Sequence, residues 1–141
     1  MRPLQIHATV VSIDGNGVVL RGPSGSGKSD LALRLIGDGA FLVADDRCDL
    51  ATINNAVVAS PPVEIAGLLE VRGLGVYRLE YVSTTPVALV VDLSSADAIE
   101  RLPEAASCTD WGPAIPCIKL APFEASATDK IQIALRLESI S

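Results

Sequence analysis

Aromatic residues are scarce in this sequence, at 4% of its 141 residues. The apolar half of the chain (49%) is supplied mostly by Val, Leu, Ile and Ala, a composition typical of a parallel or mixed sheet covered by helices. A chain of this length can bury roughly 68–70% of the surface that it exposes when unfolded. We therefore expect an α/β protein with a single domain over residues 1–141 and no disordered segment.

Positive charge is scarce as well. The chain has 11 Lys plus Arg against 17 Asp plus Glu, a formal net charge of −6, which argues against binding to nucleic acid or to an anionic membrane. Apolar runs such as 87–91 are far shorter than the roughly 18 residues of a membrane-spanning helix. The first twelve residues show no signal-peptide pattern, and we expect none. We expect a soluble cytoplasmic protein in which any phosphate site is a local feature.

The three cysteines, Cys48, Cys108 and Cys117, are odd in number and include no C-x-x-C pair. Neither a disulfide framework nor a zinc site is indicated. We expect three reduced residues that serve in packing.

The first part of the chain predicts a strand, a loop and a helix in succession. Alternating apolar and polar residues predict a strand over 4–13 and a return strand over 17–22, joined by Asp-Gly and Asn-Gly turn residues. After a glycine-rich segment, apolar residues at helical spacing predict a helix over 29–36 that Gly37 and Gly39 end.

The rest of the chain predicts short strands and two further helices. A short helix is expected over 94–103, and Ser126 with Asp129 resembles a capping box that opens a terminal helix through Leu137. The predicted strands cover residues 41–44, 48–53, 57–60, 86–93 and 115–122. We expect a mixed β-sheet flanked by helices, without internal repeats.

A phosphate-loop motif is the strongest signal. Residues 22–29, GPSGSGKS, match G-x-x-x-x-G-K-[ST] in full and lie between a predicted strand and a predicted helix, as that motif requires. Its glycines let backbone N–H groups turn toward phosphate oxygens, Lys28 can reach the β and γ phosphates, and the Ser29 hydroxyl can ligate Mg²⁺. The helix dipole adds to this local anion site. The predicted nucleotide-binding residues are Gly22, Pro23, Ser24, Gly25, Ser26, Gly27, Lys28 and Ser29.

Two carboxylates, Asp45 and Asp46, end the predicted strand 41–44. Acids at strand ends hold Mg²⁺ in many phosphate-loop enzymes, and a helix over 29–36 spans only about 12 Å, so the next strand can return to the loop. Most phosphate-loop NTPases have a longer stretch here, and we do not assign the chain to the GTPases. Adjacent side chains on an extended segment point to opposite sides. One acid should therefore face the metal and the other the acceptor hydroxyl, unless the chain turns there.

The segment EVRGLG at residues 70–75 brings a carboxylate and a guanidinium close together. Glu70 can supply another contact to Mg²⁺, and Arg72 can neutralise charge that develops on a transferred phosphoryl group. On pattern alone the segment is equally typical of a strand-to-turn junction. On pattern alone, His7, the only histidine, is typical of a partly exposed structural residue on a strand. Arg101 is likewise typical of an arginine whose side chain is solvated.

In combination, these motifs resemble the C-terminal catalytic domain of the HPr kinase/phosphorylase family. The resemblance extends from His7 to about Leu137: residues 7–46 look like the family's hairpin, phosphate loop and acidic strand end, and EVRGLG looks like its second signature. Members use ATP to phosphorylate a serine of HPr, the small phosphocarrier of the bacterial sugar phosphotransferase system. The resemblance therefore implies an ATP- and Mg²⁺-dependent protein serine kinase with an HPr-like partner.

The resemblance also implies roles for matching residues. Asp46 would be the general base that takes the seryl proton, and Asp45 would assist the metal or position its neighbour. His7 would match the active-site histidine, and Arg101 a catalytic arginine near the transferred phosphate. The catalytic set expected from residues and resemblance together is His7, Lys28, Asp45, Asp46, Arg72 and Arg101, and the expected metal ligands are Ser29, Asp45 and Glu70.

The chain departs from the family pattern in several places. It starts at the catalytic hairpin, so we expect a short form without the N-terminal domain of typical members. The segment 116–129 lacks the basic Gly-Arg type of turn that members use in dephosphorylation, so we expect little phosphorolysis. The chain ends soon after the terminal helix, so the family's hexamer is not carried over and the size of any homo-oligomer stays open.

Two other functions fit the same residues. One is a phosphate-loop kinase that uses another acceptor, and the other is an ATP-binding regulatory module without efficient transfer. Retention of Lys28, Asp45 and Asp46 favours a kinase. Transfer of label from ATP to an HPr-like protein would distinguish the three functions.

Overall fold

The computed structural model describes residues 4–140, whose strands form a curled mixed sheet. Residues 1–3 and 141, which complete the predicted domain, lie outside the described residues. The strands are β1 (Leu4–Ile6), β2 (Thr9–Ile13), β3 (Asn16–Arg21), β4 (Phe41–Ala44), β5 (Cys48–Ile53), β6 (Ala56–Ser60), β7 (Leu68–Val71), β8 (Gly75–Arg78), β9 (Thr85–Leu93), β10 (Ala106–Cys108) and β11 (Ile115–Leu120). The helices are α1 (Lys28–Gly37) and α2 (Ala127–Arg136), and single 3-10 turns cover Val63–Ile65 and Ala96–Ala98.

The centre of the sheet is the parallel pair β3 and β9. On one side, β3 pairs antiparallel with β2, which pairs with β4. On the other side, β9 pairs parallel with β11, which pairs with β10. The start of β9 also pairs with β6, which carries β5 and then β1, while β7 and β8 form a separate hairpin. This architecture confirms the predicted mixed α/β fold.

Both faces of β3 and β9 are buried, because different elements cover them. Val18, Leu20 and Val91 lie in the cluster that α1 and α2 complete. Val19 and Val90, which alternate with them, pack with residues of β5 and β6 on the opposite face. All five side chains are fully buried. Since successive strand residues point to opposite faces, burial on two sides requires the continuous apolar runs that these strands have.

The predicted strand over 4–13 is wrong in its length. The chain forms two strands instead, and His7 lies at the bend between them. β1 pairs with β5, with Gln5 opposite Asp49, whereas β2 forms the predicted hairpin with β3. The division places β1 in the layer that covers the second face of the central strands.

The predicted helix over 94–103 is also wrong. Only the 3-10 turn Ala96–Ala98 forms, because residues 95–98 are exposed and bury no apolar face that would stabilise a short helix. The capping box is absent too: the Ser126 backbone (φ −90°, ψ 8°) is not extended, and its side chain makes no cap hydrogen bond to α2. No helix within residues 4–140 is long and apolar enough to cross a membrane.

Candidate active site at the phosphate loop

Three strand ends meet at one edge of the sheet and carry most of the predicted site. β3 ends at Arg21 and leads into the phosphate loop (residues 22–27), and β4 ends at Ala44, just before the acidic pair. β2 begins at Thr9, which lies opposite Leu20 of β3. In α/β sheets, the crevice outside the carboxyl ends of parallel strands is the usual place for a ligand.

The phosphate loop has backbone angles and close contacts that favour glycine. Gly25 (φ +81°) and Gly27 (φ +100°) adopt left-handed backbone. At Gly22 the constraint is space, because a Cβ there would lie 2.5 Å from Ser26 Oγ. The Ser26 N–H donates to the Pro23 carbonyl at 3.0 Å and closes the turn. The pattern of glycines in the sequence is thus accounted for by local geometry.

Two side chains of this loop are suited to binding a polyphosphate. Ser26 Oγ is buried without a hydrogen-bond partner in the described part of the chain, and such orphaned groups are rare. Lys28 Nζ donates to the carbonyl oxygens of Gly22 (2.5 Å) and Pro23 (3.0 Å). α1 begins at Lys28 and presents the positive end of its dipole here. A phosphate would satisfy the serine hydroxyl and give the ammonium group an anionic partner, so the residues present fit a nucleotide.

Asp45 is the centre of a hydrogen-bonded group beside the loop. Its Oδ1 accepts from Ser29 Oγ at 2.7 Å and from Thr9 Oγ1 at 3.0 Å, and its Oδ2 accepts from the Glu70 N–H at 3.3 Å. The residue is only 9% exposed. Hydroxyl and carboxylate oxygens are ligands that Mg²⁺ prefers, and Mg²⁺ usually completes its coordination with phosphate oxygens and water. Ser29 and Asp45 therefore fit a Mg²⁺–nucleotide complex.

Asp46 faces outward, because the chain turns at this point. The Arg47 N–H donates to the Asp45 carbonyl at 2.8 Å, and this three-residue turn gives Asp46 a φ of +71°. Asp46 is exposed, in contrast to its neighbour. Both residues line one open cleft of about 180 Å³, whose lining residues are Asp45, Asp46, Arg47, Ile65, Leu68, Glu70 and Val76.

The β7–β8 hairpin brings the EVRGLG segment to this cleft. Glu70 is held there by its backbone N–H, which donates to Asp45, and the residue lines the cleft together with the acidic pair. Arg72 lies in the hairpin turn, which the Leu74 N–H closes by donating to the Val71 carbonyl at 2.9 Å. Its side chain is exposed. The structure thus joins Glu70 directly to Asp45, and leaves Arg72 two residues further along the hairpin.

His7 and Arg101 are the predicted residues that the structure ties least to this group. His7 is exposed and lies two residues before Thr9, at the same edge of the sheet. Arg101 is exposed on the irregular segment that follows the Ala96–Ala98 turn. Within residues 4–140, no hydrogen bond or ion pair connects either side chain to the phosphate loop, so their roles stay predictions.

Sequence reasoning missed an ion-pair cluster directly beneath the loop. Arg21 makes a bidentate pair with Asp92, at 2.7 Å (Nε to Oδ1) and 3.0 Å (Nη2 to Oδ2), and its Nη1 lies 2.8 Å from Asp110 Oδ2. The guanidinium also lies over the Trp111 ring, 5.5 Å from its centroid. The cluster ties the end of β3, where the loop begins, to the end of β9 and to the segment before β11.

The same contacts shift the ionisation of both partners. Hydrogen bonding to Asp92 raises the pKa of Arg21 above its ordinary value. Burial by itself would raise the pKa of Asp92, but the hydrogen bonds from Arg21 and Cys117 lower it on balance. The only signal of this pair in the sequence was the position of each residue at the end of a strand. Thr9 was missed for a similar reason, since one threonine on a strand carries no pattern.

Comparison with known proteins places the chain in a family. A model of the HPr serine kinase C-terminal domain matches residues 2–114, which include the loop, the acidic pair and EVRGLG. The chain belongs to that family. Its fold is similar to the solved HPr(Ser) kinase/phosphatase from Coxiella burnetii, with a TM-score of 0.83 and 26% identity over 94% of each chain. The expected family resemblance is thereby confirmed.

Curated relatives in this family are longer proteins. The HPr kinase/phosphorylase of Clostridium tetani is 38% identical over 98 residues, which are 70% of this chain and 32% of the relative. That of Clostridium acetobutylicum is 46% identical over 72 residues, which are 51% of this chain and 24% of the relative. The matched region therefore spans about a quarter to a third of these relatives.

Proposed function

We propose that this chain is a catalytic domain that transfers the γ-phosphoryl group of ATP to a serine of an HPr-type phosphocarrier protein. The observation that carries the proposal is the hydrogen bond between Ser29 of the phosphate loop and the buried Asp45, with the exposed Asp46 beside it. The names of the relatives support the choice of acceptor. The proposal takes residues 1–141 as one functional unit.

The phosphate side of the site is assigned to five residues. Lys28 would exchange its two carbonyl acceptors for phosphate oxygens, and the orphaned Ser26 hydroxyl would bind another oxygen. Ser29 and Asp45 would hold the metal, with Glu70 as a further contact. Mg²⁺ held by these residues would offset the negative charge of the phosphate oxygens. The protein then has little covalent chemistry to perform, and its main contribution is to position the reactants.

The acceptor side is assigned to the cleft next to Asp46. A serine hydroxyl is a poor nucleophile, so a carboxylate within hydrogen-bond reach assists by accepting its proton. Asp46 is suited to this because it is exposed at the cleft, whereas Asp45 is engaged by Ser29, Thr9 and the Glu70 N–H. This division follows the predicted one, with Asp46 as the base.

Three further residues complete the proposed catalytic set. Arg72 and Arg101 would offset charge on the transferred group, and His7 would act from the β1–β2 bend. All three are exposed. No hydrogen bond or ion pair among the described residues ties them to the phosphate loop, so each needs its own alanine variant. For the reverse reaction, Lys119 is the only basic residue of the segment 116–129, which contains no arginine, and we propose that phosphorolysis is slow.

The test is phosphoryl transfer from labelled ATP to a purified HPr-type carrier in the presence of Mg²⁺, followed by mapping of the label. We expect label on a serine. Lys28→Ala should abolish transfer, and Asp46→Asn should lower its rate by about 10²-fold or more. Asp38→Asn is the matched control, because Asp38 is an exposed acid just past the opposite end of α1.

Each other result has a defined meaning. ATP binding without transfer to any carrier would overturn the kinase and support a regulatory nucleotide-binding module. Transfer to a different acceptor would keep the phosphate site and overturn the choice of partner. Rapid release of pyrophosphate after addition of inorganic phosphate to the phosphorylated carrier would contradict slow phosphorolysis.

A further inference from the structure

An exposed phenylalanine lies against the phosphate loop. Phe123 follows β11 and is 71% exposed, although aromatic residues are rare in this chain. A Cβ built on Gly27 would lie 2.8 Å from Phe123 Cζ and 3.2 Å from Pro122 Cγ. One edge of the ring therefore contacts the glycine that precedes Lys28, and much of the ring stays open to solvent.

The segment that carries this ring is anchored to α1. Arg34 Nη2 donates to the Pro122 carbonyl, and Pro122 is itself buried. On the other side, the Glu124 carboxylate pairs with Lys130 of α2 at 3.1 Å. Phe123 is thus held between two tethered neighbours, which sets it apart from a side chain on a free loop.

The topology puts Phe123 on the side of the loop opposite the acidic pair. β11 lies beyond β9 on one side of β3, and β4 lies beyond β2 on the other side. The loop after β11 carries Phe123, and the turn after β4 carries Asp46. The phosphate loop, which follows β3, lies between them. The two groups therefore flank the place where phosphates would bind.

The geometry of in-line phosphoryl transfer predicts which part of the nucleotide lies on each side of the loop. The attacking oxygen and the leaving oxygen lie on opposite sides of the transferred group. If the acceptor approaches from Asp46, the nucleoside must extend away from it, toward the β11 side. There it meets an exposed aromatic ring at the carboxyl end of a parallel strand, where ligands bind in such sheets.

We propose that Phe123 is the stacking surface for the nucleobase of the bound nucleotide. The inference rests on the proposed function, because it takes the phosphate loop as the site of the triphosphate. Stacking on an aromatic ring uses the π face that every base has and reads no hydrogen-bond pattern. Phe123 should therefore strengthen binding of ATP and of GTP by similar factors.

The test compares two ligands that share a phosphate chain. Equilibrium dissociation constants are measured for Mg²⁺–ATP and for Mg²⁺–tripolyphosphate, which has no base, with the full chain. Phe123→Ala should weaken ATP binding about tenfold and leave tripolyphosphate binding within about twofold. Phe41→Ala is the matched control, because Phe41 is the other exposed phenylalanine (45%) and lies at the start of β4, away from the loop.

A second variant separates stacking from support of the loop. Phe123→Leu keeps an apolar contact with Gly27 but removes the aromatic face, and it should behave as Phe123→Ala does. Equal weakening of both ligands would show that Phe123 only shapes the loop, and unchanged ATP affinity would show that the base lies elsewhere; either overturns the inference. Failure of the wild-type chain to bind ATP would overturn the proposed function with it, whereas normal wild-type binding confines the failure to Phe123.

Discussion

Ser29 Oγ donates a 2.7 Å hydrogen bond to Asp45 Oδ1, which joins the first turn of α1 to the end of β4 across 16 residues. A helix of ten residues and a strand of four residues are enough to bring the chain back beside the phosphate loop. The same carboxylate also accepts hydrogen bonds from Thr9 and from the Glu70 backbone. One buried acid thus fixes the relative positions of β2, β4, α1 and β7.

Substitution of Asp45 and of Asp46 should affect different properties of the protein. Asp45→Asn should weaken Mg²⁺–ATP binding at least tenfold and lower the free energy of unfolding by about 1–3 kcal/mol, because it alters a buried acceptor of three hydrogen bonds. Asp46→Asn should keep both ATP affinity and stability while transfer is lost. Nucleotide titrations with and without Mg²⁺ measure the affinity, urea unfolding measures the stability, and the labelled-ATP assay measures transfer. Loss of ATP affinity in Asp46→Asn would contradict this division.

Two glycines at opposite ends of the loop-and-helix segment, Gly22 and Gly37, should respond in opposite ways to substitution by alanine. Gly22→Ala should weaken nucleotide binding, because its Cβ would lie 2.5 Å from Ser26 Oγ and displace the loop hydroxyl. Gly37→Ala meets nothing within 4 Å in the last turn of α1 and should stabilise the protein by up to about 1 kcal/mol. Nucleotide titration and thermal unfolding check both. Normal binding by Gly22→Ala would show that the loop tolerates a side chain there.

The ion pair between Arg21 and Asp92 should contribute to stability in a pH-dependent way. Asp92→Asn should lower the free energy of unfolding at pH 7 by about 1 kcal/mol, a small value because the Asp92 side chain is 36% exposed and solvent screens the pair. Asp110→Asn, which affects the partner that is 63% exposed, should cost less. Urea unfolding of the three proteins gives the comparison.

The direction of the pH effect follows from the lowered pKa of Asp92. A carboxyl with a lower pKa in the folded state stabilises the protein above its unfolded pKa, about 3.9, and this contribution is lost as pH falls through the folded pKa. The difference between wild type and Asp92→Asn should thus be constant from pH 7 to pH 5 and shrink below pH 4. A difference that grows on acidification would exclude this origin.

Two of the cysteines, Cys48 and Cys117, should be unreactive in the folded protein. Burial raises the pKa of Cys48 to about 12, and burial together with the hydrogen bond to Asp92 raises the pKa of Cys117 to about 11. Because the thiolate is the reactive form, a thiol reagent at pH 8 should label these two residues slowly in native protein and rapidly in urea. Rapid labelling of Cys48 in native protein would contradict its buried position.

These thiols also predict a loss of stability in alkali. In the unfolded chain they ionise near pH 8.5, whereas in the folded protein they stay protonated to higher pH. Stability should therefore fall as the pH rises above about 8.5. Cys48→Ala should reduce that slope, which urea unfolding between pH 8 and pH 10 would measure.

Local patterns predicted the parts of the molecule that local chemistry determines. Residues 22–46 form the loop, helix and acidic strand end that their spacing indicated, since the Ser29–Asp45 hydrogen bond that joins them spans only 16 residues. The Arg21–Asp92 pair was not predictable in this way, because it depends on the register of two strands 71 residues apart. The helix over 94–103 failed because its apolar residues find no surface to pack against.

Asp46 has a positive backbone φ of +71°, which its role as a proposed base does not require. The other non-glycine residues with positive φ in the described chain, Asp14, Asn54 and Asn55, lie in hairpin turns, where such angles are ordinary. Asp46 instead holds about 1–3 kcal/mol of backbone strain next to the cleft. Partial loosening of the β4–β5 connection would relieve that strain and move the carboxylate. Inactivation should therefore occur at a lower denaturant concentration than global unfolding.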